Sequence, residues 1–297
     1  MNPLLPVLAL LCSSTLWGLT WLALKHFGHY GLAGPWVTLL AHGSVGVCAL
    51  PMLWITRKRW RARTGSLLGL AFVGGLANLA FASAILAGDV LRVMVLFYLL
   101  PAWGVLGGRF FLGERIDGPR WASLGLALSG AFLVLGGPRV FLALPTWVDV
   151  SAVISGMALA LHNVIFRKRQ EVPVPIKTGF NFVGCLVWAA IVVGSMQRPP
   201  PTDVPPLVWV EVVAFGLVWI LAATVGTLWG VHHLEAGRSS ILIIVELVTA
   251  VVSAALIGGR VPKPIEWGGG CLIVLAALIE ARRGGRSEIS APLAPSG

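Results

Sequence analysis

Charge is scarce in this chain. Only 11% of its 297 residues are Asp, Glu, Lys or Arg, where a soluble globule carries about a quarter, so there is too little polar surface to cover a water-facing domain. Cysteine is rare as well: Cys12, Cys48, Cys185 and Cys271 stand singly inside apolar runs, with no C-x-x-C spacing. That pattern argues against a disulfide framework and a thiolate metal site and leaves the four as small packing residues. Missing too are G-x-S-x-G, H-E-x-x-H, an acid-rich metal-diphosphate motif and any Cys/His constellation. An intramembrane hydrolase or transferase would need such groups to build a nucleophile or hold a metal. No enzyme activity, cofactor or metal is therefore expected. The formal charge of +10 has no aromatic-interleaved basic face behind it, so nucleic acid is not an expected partner.

What the chain has in abundance is apolar length: 57% of it is hydrophobic and its mean hydropathy is +0.87. A membrane-spanning helix needs roughly 20 mostly apolar residues, which predicts about ten spans, at 5–27, 35–55, 65–86, 91–112, 119–137, 148–166, 178–196, 207–230, 236–257 and 264–281. Turn and charge signals separate them: Gly31 to Pro35, the basic 56–64, Gly113–Pro119, 137–147 with Pro138, Arg167–Lys177 and the proline-rich 197–206. Spans three and four meet at Gly88-Asp89 and need a very tight turn. The N-terminal run lacks a basic leader region and is too long for a signal sequence, so it is expected to stay as the first span.

The positive-inside rule sets the orientation. With the N-terminus inside, the cytoplasmic side collects Arg57, Lys58, Arg59, Arg61, Arg63, Arg109, Arg115, Arg120, Arg167, Lys168, Arg169, Lys177, Arg238, Arg282, Arg283 and Arg286. Only Lys25, Arg92, Arg139, Arg198, Arg260 and Lys263 remain for the other side. Both termini are thus expected in the cytoplasm of a bacterial-type inner membrane, with the basic side chains facing anionic headgroups.

Displacing the chain by 146 residues lays Trp121 on Trp267 and Gly113 on Gly259. Five spans per half is an odd number, so the second half enters the membrane upside down, as in secondary transporters whose site lies between inverted repeats. The run LFYLLPAWGVLGGRFFLGE within 90–114, with Pro101 and Gly113-Glu114, joins Trp17-Gly18 in the first span and Glu246 in the ninth. Together they resemble the drug/metabolite transporter superfamily, specifically its EamA-type ten-helix members. The resemblance implies an all-α membrane protein of two inverted five-helix repeats, 1–137 and 148–281, followed by a tail, 282–297. It also implies export of amino acids or related metabolites, through a cavity formed by spans one, three, four, six, eight and nine. The second half departs from the family pattern at Leu247, where a proline is usual, and at Arg260, where a glutamate is usual.

Polar side chains at membrane depth are costly and need a cavity or a partner. Ser13, Trp17 and Thr20 share one face of the first span, Ser151, Ser155 and His162 one face of the sixth, and Ser239, Glu246, Thr249 and Ser253 one side of the ninth. Helix-to-helix hydrogen bonding is the favoured reading for the serines and threonines taken singly, and a hydrogen-bonded packing role for His162, with a relay or substrate contact as its alternative. His232, His233 and Glu235 read as interfacial. Asp89 and Arg92 are spaced to pair along the fourth span, or to meet the ammonium and carboxylate of a zwitterion. Glu246, deep and without a neighbour in sequence, is the leading proton-linked or ammonium-binding group. Pro101 cannot donate its backbone hydrogen bond and is expected to kink the fourth span. Gly104 with Gly108, and Gly226 with Gly230, predict close helix contacts. Asn78, Tyr98 and Trp103 complete the expected cavity lining, whose substrate is an amino-acid-like small molecule. The pathway is expected to lie within one chain, a monomer. A lipid or polyprenyl-carrier flippase on the same fold is the alternative, favoured by a lateral opening lined with basic residues.

Overall fold

A computed structural model describes residues 4–32, 35–87, 90–135, 137–138, 145–195, 201, 203–257 and 263–287, with side chains except at 82, 85–87, 90–92 and 283–287. Asp89, Arg139, Arg198, Arg260 and the side chain of Arg92 lie outside these. Every regular element among the described residues is a helix. The first half consists of α1 (Leu4–His29), α2 (Pro35–Ile55), the short α3 (Arg57–Trp60), α4 (Thr64–Ala87), α5 (Val90–Phe97) with α6 (Leu100–Leu112), and α7 (Gly118–Val134). In the second half follow α8 (Trp147–Lys168), α9 (Val174–Ser195), α10 (Pro206–Ala214) running on through a π-helical stretch, Phe215–Ile220, into α11 (Leu221–His233), α12 (Ala236–Ile243) with α13 (Val245–Leu256), and α14 (Pro264–Ser287).

Among the described residues nine helical stretches are long and apolar enough to cross a membrane. The tenth is α7, whose 17 residues rise about 25 Å, the lower limit for a span. The outer surface is greasy where lipid would touch it, with Leu256 81% and Phe110 77% exposed. α14 continues beyond the expected span into the basic segment assigned to the tail, and α9 begins at Val174, earlier than expected, which takes Lys177 out of the loop and into the helix.

The halves pack by one rule. α1 lies against α11 and α13 of the second half, and α8 correspondingly lies against α4 and α6 of the first; α2 pairs with α9, and α7 with α14. Glycines set these approaches. A Cβ on Gly130 of α7 would sit 2.6 Å from the carbonyl oxygen of Gly269 on α14, and one on Gly269 would sit 2.6 Å from that of Gly130. The two helix backbones are therefore in direct contact at this crossing. Gly226 and Gly230 admit Ser13 and Leu10 of α1, and Gly104 and Gly108 admit Ser240 and Glu114, so both expected small-residue faces make close contacts. Such backbone approach replaces the hydrophobic drive that is absent between helices in lipid.

Not all the basic side chains reach headgroups. Arg120 is 1% exposed, Lys177 0% and Arg238 8%. Each is held by acceptors that charge counting does not register. Lys177 Nζ donates to the carbonyls of Phe166 at 2.6 Å and Arg169 at 2.9 Å and bonds His232 Nδ1 at 2.9 Å, closing the open carbonyl end of α8.

Candidate functional site

The fourth and ninth spans are each broken in mid-course. In the fourth, Tyr98 and Leu99 form a turn between α5 and α6. Pro101 lies in the first turn of α6, where its missing N–H is tolerated, so the span is interrupted rather than merely kinked. The ninth breaks at Ile244, between α12 and α13, without any proline, and Leu247 N–H closes back onto Ile244 O at 3.0 Å. The displacement of 146 residues carries Tyr98 onto Ile244 and Pro101 onto Leu247, so the two breaks are repeat-related. Interrupted helices at membrane depth are stable where neighbours or a cavity satisfy the freed backbone groups.

The breaks are joined to each other. Tyr98 Oη donates to Glu246 Oε1 at 2.5 Å, inside an apolar cluster that includes Ile244 and Leu247. α1 covers the other side of Glu246: a Cβ on Gly18 would stand 2.5 Å from the Glu246 carbonyl oxygen and 2.7 Å from Thr249 Cβ. Further along the same seam Trp21 Nε1 donates to Ser253 Oγ at 3.0 Å, and Trp219 Nε1 donates to Thr20 Oγ1 at 3.2 Å. Trp17 packs beside this seam against the apolar cluster of Phe27, Val37 and Ile220. Tyr98, Glu246, Thr20, Ser253 and Trp17 are thus gathered around α1 and the two breaks.

Other expected liners sit elsewhere. Asn78 Nδ2 bonds Gly74 O at 3.0 Å and Cys185 Sγ at 3.3 Å, facing α9 in a groove with Thr38 and Trp188. His162 is 1% exposed; its ring lies over Gly74 beside Asn181, with Nδ1 3.2 Å from Asn163 Oδ1. Trp103 packs on the separate core around Leu100, Phe166 and Leu242. Ser13 and Ser155 bond the Ala9 and Ala77 carbonyls and serve packing. Arg92 lies on α5, on the far side of the break from Pro101.

Three features escaped the sequence reading. Trp21 follows Trp17 at i, i+4, a spacing that would have found it. His26 Nε2 and Glu211 Oε2 lie 2.9 Å apart, within hydrogen-bond distance, and link α1 to α10. At the basic end of the bundle, where Arg57–Arg63 lie, one arginine meets three carboxylates. Arg120 pairs with Glu235, lies 3.7 Å from Glu114 and 3.9 Å from Glu280, and Ser123 Oγ donates to Glu280 Oε1 at 2.5 Å. Glu114 accepts the N–H groups of Ala236 at 2.6 Å and Gly237 at 3.2 Å, the opening residues of α12. Burial raises the Glu114 carboxyl above its ordinary range, and those two amides with Arg120 only partly counter the shift.

The model of the EamA-like transporter family matches the chain twice, at residues 4–136 and 146–280. None of the curated proteins matches it in sequence. A solved crystal structure described only as that of a protein is 19% identical and superposes with a TM-score of 0.76, covering 96% of this chain and 99% of its own, a likeness of fold.

Proposed function

The chain belongs to the EamA-like transporter family, and from that premise we propose that it is a secondary transporter exporting amino acids or related small metabolites across the inner membrane by alternating access. The observation that carries the reading is the bond from Tyr98 to Glu246 between two interrupted helices. An acid at membrane depth, held by a hydroxyl at a paired helix break, is equipped to take a proton or an ammonium group. Seated between the repeats, it is reachable from either side as they rock. Five-helix units at 1–137 and 148–281, both termini in the cytoplasm and a pathway complete in one chain belong to the same proposal.

Arg92 supplies the second half of zwitterion recognition, on the α5 side of the break. Arg92→Ala is expected to lower proteoliposome uptake of an amino acid about tenfold, the scale of one charged hydrogen bond, and to spare the amine that lacks its carboxylate. Equal loss of both would make Arg92 structural; no uptake of any amino acid by the folded wild type would remove the cargo class. A lipid-carrier flippase is less well supported. The lateral groove along α13 and α14 is lined by Val248, Val251, Val252 and Trp267, and among the described residues its one acidic or basic side chain is Glu266, a poor match for a phosphate-bearing lipid.

A further inference from the structure

The four-residue charge cluster at the basic end has no part in cargo binding as described above, yet each of the long-range contacts named there crosses from one repeat to the other. Glu114, Arg120 and Ser123 belong to the first repeat. Glu235, the opening amides of α12 and Glu280 belong to the second. The cluster lies at the end where the fourth and ninth spans touch: α6 packs on α12, with Ser240 seated on Gly104 and Glu114 on Gly108. Past the breaks the two spans take different neighbours, α5 lying on α4 and α8, and α13 on α1 and α14. The spans are therefore clasped at the basic end and diverge toward the opposite one.

We propose that Glu114, Arg120, Glu235 and Glu280 form the latch that holds the basic end closed while the opposite end is parted. The proposal rests on the transporter reading, because a latch has work to do only if that end opens. Opening requires α12 to leave the Glu114 carboxylate and Glu235 to leave the Arg120 guanidinium. Both separations are reversible for a physical reason: charges pulled out of a buried cluster regain water, so the net cost of parting is far smaller than the Coulomb attraction. An apolar seal of the same area would bring no such compensation. Glu235 is the natural release point, since its side chain is 47% exposed whereas Arg120 and Glu280 are 1% and 0% exposed.

The test is amide hydrogen exchange on the full chain in lipid nanodiscs, comparing wild type with Glu114→Gln and, separately, Glu235→Gln. The first variant leaves one of two helix-end amides without an acceptor oxygen. The second alters a half-exposed group and guards against a folding failure of the first. Each is expected to speed exchange across 236–243 roughly tenfold, within the range of ordinary coupling energies, and at the same time to slow exchange across 90–97 and 245–256 as the opposite end closes. Faster exchange confined to α12 makes the cluster a local helix cap and overturns the latch, as does no change in either variant. Amino-acid counterflow by the wild type separates the two levels: its presence without the reciprocal shift defeats the latch alone, while its absence defeats the amino-acid cargo and leaves the latch to be decided by the exchange.

Discussion

Glu246→Gln is expected to abolish proton-driven uptake and to leave any residual exchange independent of pH, with the fold intact. The amide has the shape of the carboxylate and can still accept from Tyr98, which bonds Oε1 at 2.5 Å in the native chain, so packing around the breaks is kept. It cannot gain or lose the proton. Uptake driven by an imposed pH gradient, with circular dichroism and melting as the folding control, checks both halves of the statement; an unchanged pH dependence would remove Glu246 from coupling. Tyr98→Phe should be milder, since the acid remains. Losing one buried hydrogen bond is worth about 1 kcal/mol, enough to shift the balance of conformations roughly fivefold while the pH dependence persists.

Gly18→Ala is expected to be among the most damaging single methyl additions in the molecule. The new Cβ would meet backbone, the Glu246 carbonyl oxygen at 2.5 Å, as well as Thr249 Cβ at 2.7 Å. Neither can swing away as a flexible side-chain tip would, so α1 must back off α13 at the site itself. Overpacking of this kind costs about 1–3 kcal/mol, and here it also disturbs the carboxylate bonded to Tyr98. Gly125→Ala on α7 is the matched control, because a Cβ there finds nothing within 4 Å and alanine is the better helix former. Thermal unfolding in detergent should show a clear loss for Gly18→Ala and none for Gly125→Ala, and uptake should follow the same order. Equal melting of the two would mean that α1 does not press on α13 as described.

The spans were legible because lipid imposes one demand that sequence expresses directly: long apolar runs with turn residues between them. α2, predicted at 35–55, is Pro35–Ile55. The break in the fourth span was foreshadowed by Pro101. Its partner at Ile244 carries no proline and could have been inferred only by applying the repeat displacement to Tyr98. Rotation about each helix axis was less legible. Asn78 was placed in the cavity on depth alone, but depth says nothing about which neighbour a side chain faces, and packing turns it toward Cys185. Charge was hardest of all. Arg120 and Lys177 count as surface cations in any linear tally, because the Glu235 carboxylate and the His232 imidazole arrive from segments far away in sequence and the nearby carbonyls that hold Lys177 carry no charge. Glu246 was conspicuous in sequence, an acid with no local partner in an apolar run, but its partner Tyr98 lies 148 residues away and was not legible there.

The most direct test of the transport claim is counterflow. Purified protein in vesicles preloaded with a mixed pool of amino acids would be offered one labelled amino acid at a time. Transient accumulation of some labels and not others is the expected result, and it would define the cargo class. No accumulation of any label by demonstrably folded protein would contradict amino-acid transport by this chain.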